Sequence, residues 1–164
     1  MHILAVTLCL FGTCAIACAA ERNIFESAKH IFAVMDLQRN ILSECAQQDP
    51  ANKQKFSAEI ARYRQQTKAL DDKVRQLIIA ETPSNDPAAS LAAIERWSAT
   101  ESQRNIKFQL LPQHRAQFMQ KCDYVINPDS RKRYGATNAR HNEVVGSPDA
   151  QYPAEVRAIF AWKP

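Results

Sequence analysis

Residues 50–81, PANKQKFSAEIARYRQQTKALDDKVRQLIIAE, decide how this chain folds. Phe56, Ile60, Tyr63, Leu70, Val74 and Leu77 carry its apolar and aromatic weight, with Thr67 filling the one polar gap. The steps alternate four and three. That near-heptad seam belongs to a helix packed at a shallow angle against other helices. The other faces carry Lys, Arg, Gln and Asp, as on a solvated surface. Asp49-Pro50 ahead of the stretch is a helix start, a short polar cap followed by proline where its missing N–H costs nothing.

The same start grammar recurs at Asp86-Pro87, Asn127-Pro128 and Ser147-Pro148. It marks off a first helix from about Glu21 to Gln47, with a broad stripe through Ile24, Phe25, Ala28, Ile31, Phe32, Met35, Ile41, Leu42 and Cys45. A third helix from Pro87 carries Leu91, Ile94, Trp97, Phe108, Leu111, Phe118 and Cys122 as its apolar face. Pro112 lies inside it, so a kink or break is expected near Phe108 to Leu111. No glycine occurs between residues 21 and 134, which removes the turn chemistry of hairpins and the close backbone approach of phosphate-binding loops. The expected fold is all-α: an antiparallel three-helix bundle with a short C-terminal helix, an irregular C-terminal loop region and one disulfide.

The disulfide follows from compartment and geometry. Ile3 to Phe11 is an uncharged apolar run, followed by the small-residue segment Ala15-Ile16-Ala17-Cys18-Ala19-Ala20 and then Glu21-Arg22. That is the layout of a secretory signal peptide. The run is shorter than the ~20 apolar residues of a membrane span. Beyond it only Cys45 and Cys122 remain, in a compartment where a bridge forms and lasts. In an up-down-up arrangement both fall at one end. The second helix rises about 47 Å, and Cys122 lies about 53 Å along the third from Pro87. Ala15-Ile16-Ala17-Cys18 also resembles a bacterial lipobox with Ala15 in place of the usual Leu. On that alternative, Cys18 is a lipid anchor.

The organisation expected is a signal peptide over 1–19, the bundle over 20–126 and a C-terminal segment over 127–164. The exported part holds all 21 Lys and Arg and 17 Asp and Glu, a net charge of +4 that is well mixed along the chain. Nucleic-acid binding would call for a clustered excess, and none is expected here. In the C-terminal segment, Asn127 to Gly135 reads as one or two helical turns ending in cations and glycine. Ala136 to Ser147 reads as loop. Pro153 to Trp162 reads as a short helix docking through Val156, Ile159 and Phe160.

Catalytic chemistry finds little purchase. His30, His114 and His141 form no H-x-x-x-H or Glu-x-x-His pair and there is no C-x-x-C, so no metal and no cofactor is expected. Asp71-Asp72 read as two parts of one solvated face rather than an acid–base pair. The surface feature with shape is Arg131-Lys132-Arg133-Tyr134, with Arg140 across the loop. It is a candidate contact for an acidic partner protein or an anionic envelope polymer, with Tyr134 as an amphipathic anchor.

The layout resembles, in architecture alone, small exported helical proteins of Gram-negative bacteria: periplasmic adaptors, stress chaperones and immunity proteins that neutralise envelope-directed toxins. The function expected is that of a periplasmic or secreted non-enzymatic binding protein acting through protein–protein contacts. The alternatives are an immunity-type inhibitor of a toxin or hydrolase, or a lipid-anchored envelope protein of structural role.

Overall fold

The computed structural model describes residues 23–127, 129 and 146–164. Among them every regular element is a helix. The expected signal peptide, the lipobox cysteine and the loop up to residue 145 lie outside the described residues.

α1 spans Ile24–Gln48, and the Asn23 side chain caps it by accepting from the Phe25 N–H at 3.0 Å. Asp49-Pro50 opens a short 3-10 turn, Pro50–Asn52, before α2 runs over Lys53–Glu81. Asp49 therefore does not cap α2. Its carboxylate accepts instead from Asn52 Nδ2 at 2.8 Å. α3 spans Pro87–Gln109, with Asp86 in the expected role, its carboxylate accepting from the Ala89 N–H at 2.9 Å.

The expected break in the third helix is complete. α3 stops at Gln109, and α4, Pro112–Ile126, starts afresh with Pro112 in its first turn. Leu111 takes extended angles, φ −57° and ψ 147°, as the proline ring demands of the residue before it. A single turn, α5 (Pro148–Gln151), leads into α6 (Pro153–Ala161).

Two core clusters fix the directions of the first three helices. At one end, Ala28, Ile31, Phe32 and Met35 of α1 meet Leu70, Val74, Leu77 and Ile78 of α2, with Leu91 and Ile94 of α3 packed alongside. At the other, Ile41 and Cys45 of α1 meet Phe56 of α2, Ile106 of α3 and Phe118 and Cys122 of α4. α2 thus returns along α1, and α3 runs back again. Cys45 and Cys122 are bonded across a Cα–Cα distance of 5.4 Å, the pairing expected from their shared end.

Three expectations about burial are corrected. Trp97, Phe108 and Leu111 are not core; they remain 48%, 57% and 41% exposed, and α3 buries Ser98, Ser102 and Ile106 in their place. Phe160 is half exposed, so α6 docks through Val156 and Ile159, with Trp162 and Tyr152 packed against the same cluster. Asp71 does not share a solvated face with Asp72. Its side chain sits between Arg39 of α1 at 3.5 Å and Arg75 Nε at 2.8 Å, while Asp72 pairs outward with Lys68.

Candidate functional site: an apolar groove between α1 and α3

The buried serines explain the groove. Ser98 and Ser102 are small and one turn apart, so α3 approaches α1 closely along that line. Both hydroxyls donate to one carboxylate oxygen of Asp36, at 3.0 and 3.3 Å. Asn40 Nδ2 donates to the same oxygen at 3.2 Å, and Arg39 stands 3.8 Å from the other. A carboxylate held by several donors positions both helices while keeping its charge compensated.

Above this polar seam the helices part around a groove of about 460 Å³. Ala33, Val34 and Leu37 of α1 form one wall, and Glu101, Arg104, Asn105 and Phe108 of α3 form the other. Leu37 also reaches the disulfide-end core, so that wall is continuous with the packed interior. Glu101 and Arg104 pair with each other at 2.9 Å. Phe108 lies against the His114 ring at 4.6 Å across the α3–α4 break. Trp97 shares the α3 stripe of Glu101, Arg104 and Phe108.

Chemically the groove offers apolar area with a polar rim. The two serine hydroxyls are spent on Asp36, and none of the lining residues is a histidine or cysteine that could serve as base or thiol nucleophile. Among the described residues no group of three His, Cys, Asp or Glu is placed to hold a metal ion. No described helix is long and apolar enough to cross a membrane.

Two other polar clusters tie elements together. Arg75 bonds Asp71 and Glu95, linking α2 to α3, and its guanidinium lies 5.0 Å over the Phe32 ring. Burial alone would lower the Arg75 pKa; the hydrogen bonds to Asp71 and Glu95 outweigh it and hold the group above its ordinary value. His30 Nδ1 lies 2.7 Å from Glu155 Oε2, and its ring meets Tyr152 edge-on at 4.7 Å, so this histidine joins α1 to α6.

Of the residues singled out from sequence, Cys45 and Cys122 are brought together. Arg131, Lys132, Arg133, Tyr134 and Arg140 lie outside the described residues. Sequence reasoning missed Trp97 and Phe108 as surface residues by assigning them to the core. The signal was there: the stripe joining them passes through Glu101 and Arg104, two charges that no buried face would carry unpaired. Compared with protein-family models, curated proteins and solved structures, the chain matches none.

Proposed function

We propose that this protein is an exported, non-enzymatic binding module of the cell envelope, acting through protein–protein contacts. Its scaffold is read as an antiparallel three-helix bundle whose third member is the broken pair α3–α4. The observation that carries the reading is the α3 face. Phe108, 57% exposed, lines an open apolar groove, and Trp97, 48% exposed, lies on the same stripe of α3, both on a disulfide-stapled support. Large aromatics left outside a core beside a concave apolar surface are the usual anchors of protein interfaces. The export signal in residues 1–19 supports the location, and a structural bridge supports an oxidising compartment. The basic stretch Arg131 to Arg133, with Tyr134 and Arg140, supplies a second contact suited to an acidic partner.

Photo-crosslinking in the native envelope tests this. A benzophenone amino acid placed at position 97, and separately at 134, is expected to trap a defined protein in cells. Arg131→Ala/Lys132→Ala/Arg133→Ala is expected to weaken the adduct formed from 134. A single toxin or hydrolase among the adducts would specify the inhibitor form of this reading. No adduct with another protein from either position would overturn it. N-terminal sequencing of the same material is expected to start near Ala20; an intact Met1 would remove the export argument, and a lipid-modified Cys18 would replace the periplasmic form by the anchored one.

A further inference from the structure

The α3 stripe that borders the groove has a symmetric order. Trp97, Glu101, Arg104 and Phe108 follow one another at steps of four, three and four: aromatic, acid, base, aromatic. These steps keep the four on one side of the helix, over roughly 16 Å of its length. The midpoint between Trp97 and Phe108 is also the midpoint between Glu101 and Arg104. From this coincidence and the exposure of all four side chains, we infer that the α3 face is a self-complementary dimer surface, whose occupant is a second copy of this chain. The inference rests on the reading above that this face is a protein contact surface, and it names the partner.

The charges select the arrangement. With two α3 helices antiparallel about a two-fold axis through that midpoint, Glu101 stands opposite Arg104 of the second copy, and the reverse pair forms by symmetry. Trp97 stands opposite Phe108 of the second copy, also twice. A parallel pairing would set Glu101 against Glu101 and Arg104 against Arg104, which costs rather than stabilises. An isologous antiparallel contact of this kind is the commonest closed symmetry among homo-oligomers. The four-three spacing suits the shallow crossing of seam-packed helices.

The surroundings prepare the face for this use. The Glu101 and Arg104 side chains are 41% and 73% exposed and already paired within the helix, so both charges are displayed and neither is committed to the core. Ser98 and Ser102, on the adjoining face of α3, lock it to α1 through Asp36, so the stripe is presented on a fixed support. Beside Phe108, the groove walled by Val34 and Leu37 has room for an indole, which gives Trp97 of the second copy an apolar recess. Trp and Phe side chains bury about 150–250 Å² each when fully covered, and the exposed half of these four supplies roughly 300–500 Å², the centre of a modest interface. The acidic partner is then left to the basic cluster from Arg131 to Arg140.

Sedimentation equilibrium of the exported chain with its disulfide intact, across the micromolar range, tests the inference. The expected result is a monomer–dimer equilibrium. Phe108→Asp should raise the dimer Kd about 30-fold or more, the scale of a central aromatic anchor. Glu101→Arg should raise it about tenfold by setting arginine against arginine. The double reversal Glu101→Arg/Arg104→Glu should bring it back to within about threefold of wild type, because the pattern is again complementary. Helical circular dichroism confirms that each variant is folded. A wild-type chain that stays monomeric throughout overturns the inference, as does a double reversal that dimerises no better than Glu101→Arg. The two readings fail separately. A monomer that still crosslinks from position 97 to another envelope protein sinks self-pairing alone, and a dimer that traps no other protein from 97 or 134 sinks the binding-module reading alone.

Discussion

Tyr63 is 1% exposed, and its hydroxyl has no hydrogen-bond partner among the described residues. Burial is the largest cause that pushes its pKa far above the ordinary tyrosine value; nearby Asp149 and Asp71 push the same way, and Arg39 opposes them. A tyrosine whose folded pKa is raised contributes stability that is fully present below the unfolded value, near 10, and is lost as pH rises above it. Tyr63→Phe removes a hydroxyl that makes no bond, so its cost at neutral pH should be under about 1 kcal/mol. Above about pH 10 the variant should lose stability less steeply than wild type, by up to about 1.4 kcal/mol per pH unit. Urea unfolding at neutral and alkaline pH measures this, and parallel pH slopes would refute it. Asp71 is the opposite kind of residue, a carboxylate that both Arg39 and Arg75 use. Asp71→Ala should destabilise by about 1–2 kcal/mol, since it takes one of two carboxylate partners from each of two partly buried guanidiniums, whereas outward-facing Asp72→Ala should be near neutral.

At the scale of elements, the bridge and the break work together. Pro112 ends the third helix as a continuous rod, and α4 begins again at an angle that α3 does not dictate. Cys122 on α4 is held to Cys45 on α1, with both sulfur-bearing residues fully buried beside Phe56 and Phe118. The bridge spans a sequence separation of 77 residues. On the chain-entropy model a loop of that length corresponds to about 4–5 kcal/mol, against a usual cost of about 2–5 kcal/mol for losing a native bridge. Cys45→Ser should therefore lower the unfolding free energy by about 4 kcal/mol, measured by guanidinium titration under non-reducing conditions. A change below about 1 kcal/mol would mean that packing alone sets the α1–α4 contact.

For the whole molecule, closure depends on the C-terminal segment. Val156 and Ile159 complete the core cluster shared by α1 and α2, and His30–Glu155 and Trp162 Nε1–Glu81, both at 2.7 Å, fasten α6 at two points. Lys73 covers the Trp162 ring at 4.7 Å. Ile159→Ala should cost about 2–4 kcal/mol, the range for truncating a fully buried aliphatic side chain. Phe160→Ser, one residue on, should cost about 1 kcal/mol or less because half of that side chain already stands in solvent. Thermal melts of the pair decide which side of α6 is docked, and equal losses would contradict the orientation described.

Much of this was legible in the chain. Missing glycine, the X-Pro starts and the four-three seam of α2 determine that the protein is helical and that helices begin at Pro87 and Pro148, because these are local constraints on backbone angles and periodicity. The Cys45–Cys122 pairing followed from rise per residue and helix direction. What tertiary structure decided was which side of each amphipathic element faces in. α3 has two possible stripes, and hydrophobicity favours the one with Trp97 and Phe108. The other wins, because Ser98 and Ser102 are small enough for close approach and both hydroxyls find Asp36 on α1, a contact sixty-odd residues away in sequence. Asp71 turns inward for the same kind of reason, since Arg39 and Arg75 meet it there. Periodicity sees only the residues of one helix; the choice of face belongs to the neighbour that supplies the complementary group.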